Sequence, residues 1–108
     1  MQFQKITAIV RRERLTEIEH RLVELGVPGI TVTPVHGFGE YANYFRGDLL
    51  VPHRRIEIFT TPDRVESIAS AIVGAASTGC EGDGLLAVLP VEQLIRIRTK
   101  GAADPGAL

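Results

Sequence analysis

Arg55-Ile56-Glu57-Ile58-Phe59-Thr60-Thr61-Pro62-Asp63 is the stretch that decides the fold. Its first six residues form a strand: Arg55 to Ile58 alternate polar and apolar, the period of a strand with one buried face, and Phe59-Thr60 complete it. The next three form a helix start: Thr61 as N-cap, Pro62 at the first helical position, and an acid in the first turn. A strand running straight into a helix is half of a strand-helix-strand unit. Downstream, Val65, Ile68, Ile72 and Val73 carry the apolar stripe of that helix. A glycine-rich turn follows, then a strand over Leu85–Leu89, and Ile95–Arg98 reads as a short final strand.

Upstream, the same order appears once before. Phe3 to Val10 mixes Ile6, Ala8 and Val10 with polar residues and reads as a strand. Leu15, Ile18, Leu22 and Leu25 recur at helical spacing, and Gly26 stops the helix in the C′ position. Gly29 to Val35 is β-branched and predicts a second strand. Gly37 to Arg54 is longer than a tight hairpin needs, which marks a functional or disordered loop. The resulting order, βαββαβ plus a short C-terminal strand, predicts an α+β ferredoxin-like domain with both helices on one sheet face. The other face needs a cover, and in a chain of 108 residues other subunits are the expected one.

The bulk properties narrow the function. Apolar residues make up 44% and charged residues 23%, the balance of a soluble globular domain. A net charge of −1 gives no electrostatic case for nucleic acid. The longest apolar run, Leu85–Val91, is too short to span a bilayer, and no signal peptide is visible after Met1. Cys80 is the one cysteine, so no intrachain disulfide forms, in keeping with a cytoplasmic protein. It lies in a glycine turn beside an acid, Glu81, with no neighbouring cation in the sequence to activate it, which argues against redox chemistry. His20, His36 and His53 have no metal-ligand spacing and read as surface or rim residues, with His36 and His53 flanking the loop. Glu13 and Glu17 read as a solvated helix face. No nucleophile–base pair is present, so catalytic residues and metal ligands are both expected to be absent.

Two motifs carry chemistry. Thr78-Gly79-Cys80-Glu81-Gly82-Asp83-Gly84 offers backbone N–H groups to an anion with no Cβ in the way. Arg96-Ile97-Arg98-Thr99 places two guanidinium groups on alternate residues, hence on one face of a strand, able to grip phosphate in planar forks. Together they describe a phosphate site made from two pieces of one domain.

These residues, with Val35-His36-Gly37-Phe38-Gly39, Arg46-Gly47, Arg55-Ile56-Glu57-Ile58 and Pro90-Val91-Glu92, resemble the PII nitrogen-regulatory signalling proteins from about Lys5 to Gly101. The resemblance implies a homotrimer that binds adenine nucleotide in clefts between subunits and meets a target protein through a long T-loop. It assigns residues 1–101 to the domain, Phe38 to about Arg54 to the T-loop, and 102–108 to a flexible tail. Carried over residue by residue, it gives a nucleotide site of Ile9, Gly29, Ile30, Thr31, Gly37, Phe38, Gly39, Glu57, Ile58, Phe59, Thr78, Gly82, Asp83, Gly84, Leu85, Arg96 and Arg98.

The chain also departs from the family pattern. Glu40 and Tyr41 stand where the family has an arginine and a glutamine that helps hold magnesium and 2-oxoglutarate. His53 replaces a lysine that contacts 2-oxoglutarate, Leu50 the tyrosine that is modified, and Leu85 the lysine after the glycines. The expectation is a PII-like relative with a shortened loop, favouring ADP or AMP over ATP. Related branches are associated with inorganic carbon, which suggests bicarbonate as a second ligand at Tyr41, His53, Arg54 and Arg55. The target protein would then be a transporter, an enzyme or a carboxysome component. Two alternatives stand beside this reading: an assembly module with a vestigial nucleotide site, and a nitrogen-regulating PII protein that binds ATP. Tyr41, Tyr44 and Phe45 either tuck the loop onto its own body or anchor a partner.

Overall fold

The computed structural model describes residues 2–36 and 52–105. Its elements are β1 (Phe3–Arg11), α1 (Leu15–Glu24), β2 (Thr31–Val35), β3 (His53–Thr60), α2 (Pro62–Ala76), β4 (Gly84–Val91), β5 (Ile95–Arg96) and β6 (Gly101–Ala102). A single 3-10 turn, Arg12–Arg14, leads into α1. The strand order β2-β3-β1-β4 is antiparallel throughout, and β1 and β3 are central. This is the ferredoxin-like α+β arrangement expected from the sequence.

The alternation in β1 and β3 sorts their side chains between two faces. Ile6, Ala8, Val10, Ile56 and Ile58 are buried together with Ile18 and Leu22 of α1 and Ile68, Ile72, Ala75 and Ala76 of α2. The opposite face carries Lys5, Thr7 and Ile9 beside Arg55, Glu57 and Phe59, in register across β1 and β3. β4 adds Leu85 and Leu89 to it, and Phe59, Leu85 and Leu89 all stay exposed. The two prolines in the sheet, Pro34 and Pro90, lie on its edge strands β2 and β4, where a missing N–H costs no ladder bond.

The helices are tied to each other by arginines. Arg14 Nε donates to Ala75 O at 2.7 Å, and Arg64 donates through Nη2 to Leu25 O at 2.9 Å. Each supplies a donor near the carbonyl end of a helix, where intrahelical partners run out. Gly26 has φ +78°, the left-handed conformation expected of it.

Several expectations change. Val73 is 53% exposed, and Ala75 and Ala76 fill the core in its place. Leu25 is also exposed, because the helix has already ended at Glu24. Thr61 occupies the N-cap position of α2, but its side chain makes no capping bond. The predicted strand Ile95–Arg98 stops at Arg96. Residues 97–100 turn, and Gly101–Ala102 pairs back on Ile95–Arg96 as a separate two-stranded ribbon. Composition suggested a loose end from here, yet Ala103 is 6% exposed and its N–H donates to Leu94 O at 2.9 Å.

Candidate functional site

The glycine turn between α2 and β4 is organised around one carboxylate. Asp83 accepts from Thr78 N at 2.8 Å, Gly79 N at 2.9 Å and Arg11 Nε at 3.0 Å, and also from the Thr78 hydroxyl. Arg11 donates a second bond to Glu81 O, which ties the turn to the end of β1. Burial works to raise the Asp83 carboxyl. The bonds from Thr78, Arg11 and Gly79 outweigh it and hold the group well below the usual carboxylate range. Two of the N–H groups expected to face an anion therefore already serve this internal carboxylate. Gly79, Gly82 and Gly84 all take positive φ, so the glycines are required by the backbone itself. At Gly84 a Cβ would lie 1.7 Å from Ile9 O, since β4 begins there in close contact with β1.

His53 meets this turn from the other side. It is 0% exposed, and its Nε2 lies 2.8 Å from Gly82 O. A carbonyl can only accept, so Nε2 carries the proton in this bond. The rim position expected for His53 is thus wrong: the first residue of β3 is folded under the turn. Arg54 donates to His53 O at 3.0 Å. Of the four residues expected to hold a second anion, Tyr41 lies outside the described residues, His53 is buried against Gly82, and Arg54 is turned back on the backbone. Arg55 is partly exposed, 3.5 Å from Glu57.

The expected nucleotide residues fall into two separate groups. Gly29, Ile30, Thr31, Glu57, Phe59 and Arg96 line a depression of about 350 Å³, together with Pro28. Ile9, Asp83, Gly84 and Leu85 border a smaller, largely apolar one between β1, β4 and α2. The two share no residue. Glu57, in the first, pairs with Lys5 at 2.9 Å and Arg55 at 3.5 Å. The hydrogen bond from Lys5 lowers its pKa, against burial, and the charges of Lys5 and Arg55 lower it further. Ile58 is not in the pocket: alternation puts it in the core, 2% exposed. Arg98 is not on a strand with Arg96 but in the turn beyond it, and both border a third hollow beside Phe59. Thr78 and Gly82 belong to the turn described above. Gly37, Phe38 and Gly39 lie outside the described residues.

Sequence reasoning missed Arg11 and Lys5. Lys5 had a legible signal, because it shares the open sheet face with Glu57 on the neighbouring strand, diagonally across the β1–β3 pair. Arg11 had none, since its partners in the turn, Glu81 and Asp83, lie 70 and 72 residues away. Among the described residues no group of three His, Cys, Asp or Glu side chains could hold a metal ion.

The sequence profile of the family described as "Nitrogen regulatory protein P-II" matches residues 3–101. The Nitrogen regulatory protein P-II homolog of Arabidopsis thaliana is 38% identical over 105 residues, 90% of this chain. The chain spans about half that relative's length, 54%. The Nitrogen regulatory protein P-II of Cereibacter sphaeroides is 41% identical over 102 residues, covering 88% of this chain and 91% of that protein. That of Klebsiella oxytoca is 39% identical over 112 residues, covering 96% and 98%. Among solved structures, the crystal structure of Arabidopsis thaliana PII bound to citrate superposes with a TM-score of 0.81 at 37% identity, covering 95% of this chain and 87% of that one.

Proposed function

This chain belongs to the nitrogen regulatory protein P-II family, and from that premise we propose that it is a homotrimeric regulator, not an enzyme, which senses adenine nucleotide between subunits. The observation that carries the proposal is the division of the site. The arginine-bearing half and the glycine-turn half line different depressions of one chain. A second copy, docked so that its glycine turn faces the first copy's Arg96, completes one cleft from two halves. The exposed Phe59, Leu85 and Leu89 on the uncovered sheet face supply apolar area for that assembly.

Co-assembly tests the geometry. Arg96→Ala and Ser77→Glu each damage one half, the second by setting a carboxylate at the rim of the glycine-turn depression, and trimers mixed from the two variants regain clefts built from undamaged halves. Recovery of ADP binding on mixing, read by calorimetry, is the expected result. Mixed oligomers that stay silent overturn the reading, as does a stable monomer by light scattering that still binds ADP.

The nucleotide preference follows from Leu85, half-exposed at the turn, where no cation waits for outer phosphates. A hydrogen bond to a charged group is worth roughly 1.5–3 kcal/mol, so its absence costs ATP about one to two decades of affinity relative to ADP. Leu85→Lys is expected to shift the preference toward ATP. Strong ATP binding that depends on 2-oxoglutarate would instead favour nitrogen regulation of the kind named for the relatives. Bicarbonate gains no support from the described residues, since His53 and Arg54 are engaged elsewhere. Signalling runs through the segment from Phe38 to Arg54, which joins two pieces of the expected pocket, Gly37 on one side and Glu57 on the other, and meets a target protein.

A further inference from the structure

The glycine turn rests on two side chains that stand opposite each other in the sheet. Arg11 of β1 and His53 of β3 are register partners. Arg11 donates to Glu81 O and to the Asp83 carboxylate, and His53 Nε2 holds Gly82 O at 2.8 Å. Three consecutive residues of the turn are thus held by neighbouring strands. A trans peptide points its N–H opposite to its carbonyl. Among the described residues no peptide is cis. With the carbonyls of Glu81 and Gly82 drawn towards Arg11 and His53, the N–H groups of Gly82 and Asp83 face the other way. They differ from the N–H groups of Thr78 and Gly79, which already serve the Asp83 carboxylate.

Glycine gives the turn its path but does not fix the orientation of its peptides. Gly82 has φ +94° and no Cβ, so the peptide that joins it to Asp83 meets little steric resistance to rotation. An anion that must first select one orientation loses affinity to that ordering. His53 supplies the missing restraint. It is 0% exposed, and a buried imidazole is costly without hydrogen bonds, so its Nε2–H holds the Gly82 carbonyl in one direction. An apolar side chain of similar size would fill the same space and leave the carbonyl unfixed.

We propose that His53 is a positioning residue for the nucleotide's phosphates: through Gly82 O it aims the N–H of Asp83 at them. The inference rests on the nucleotide reading above and adds to it a buried residue that acts through the turn. Arg11 secures the preceding peptide in the same way, but its bond to the Asp83 carboxylate gives it a second task. His53 is therefore the cleaner probe. Its signature is selectivity: losing the donor weakens the grip on phosphate and leaves the grip on base and sugar as it was.

Calorimetry with ADP and with adenosine tests this on the full chain. His53→Leu and His53→Met fill the space of the ring without a donor. Each is expected to weaken ADP about fivefold, the worth of one ordinary hydrogen bond, and to leave adenosine unchanged. His53→Gln restores a donor and is expected to bind ADP within about twofold of the parent. A merely structural role gives another pattern: ADP and adenosine weaken together, and glutamine rescues neither. That pattern overturns the inference. The unmutated chain gives a second readout that does not depend on how the variants fold. Its Asp83 amide resonance is expected to shift on adding ADP and to hold still with adenosine, and an amide that ADP leaves unmoved also overturns the inference. If both apolar variants bind ADP like the parent while Arg96→Ala does not, the inference fails and the nucleotide reading stands. If the parent itself does not bind ADP, both fail.

Discussion

Gly84 and Asp83 do most of their work through single atoms. At Gly84 the missing Cβ lets β4 approach β1 so closely that any side chain would strike Ile9 O, and φ is +106° besides. Gly84→Ala therefore combines a steric clash with an unfavourable backbone, and should lose about 3 kcal/mol or more of stability in denaturant titrations. Asp83 has a pH signature. Its folded pKa is depressed, so the unfolded chain binds more protons and stability rises with pH through the acid range. The contribution is fully present above the ordinary carboxylate value of about 3.9 and drains away as pH falls below it. Asp83→Asn should flatten that acid limb, and at neutral pH should cost about 1.5–3 kcal/mol for the lost charged hydrogen bonds. An unchanged acid limb in pH-dependent melts would show that the turn does not depend on this carboxylate.

At the scale of elements, α2 is both scaffold and spacer: its inner face packs on the sheet, and its end launches the glycine turn. Gly74 sits near that end as a helix-interior glycine. A Cβ there would meet only Arg21 Nη1 at 3.3 Å, the tip of an exposed side chain that can swing aside. Gly74→Ala should therefore stabilise the fold by about 0.5–1 kcal/mol, seen as a higher melting temperature with nucleotide binding unchanged. The second element to test is the link between β3 and the turn. Because His53 is buried and hydrogen-bonded to Gly82 O, His53→Ala leaves a cavity and an unpaired carbonyl. A loss of about 2–3 kcal/mol is expected, with His53→Gln recovering part of it by restoring a donor.

For the whole molecule, the question is what covers the open sheet face. Its exposed apolar residues and the divided site are both met by one arrangement, a ring of copies. In the ring proposed above, nucleotide would touch residues on either side of the segment from Phe38 to Arg54. Binding can act on that segment only through different affinity for two of its states. The largest ligand-dependent change in hydrogen exchange is therefore expected across Phe38–Arg54. Equal exchange with and without ADP would remove the signalling role and leave an assembly module in its place.

The sequence by itself determined the topology and most of the core, because alternation in β1 and β3 and helical spacing in α1 and α2 are local patterns. It also named the glycine turn and the two arginines, whose chemistry is legible from residue type. What only the tertiary structure decided depends on partners distant in the chain. Ile58, adjacent to Glu57 and assigned with it to the pocket, lies in the core because strand neighbours face opposite ways. His53 left the rim because the turn at Gly82 folds over it, and Arg11 became the turn's anchor from the far end of β1. Arg98 left the strand because the chain reverses after Arg96 to pair with Gly101. Propensity over four residues does not reveal a partner strand that short. Local sequence sets which face a side chain takes within its own element; the packing of elements sets what it meets there.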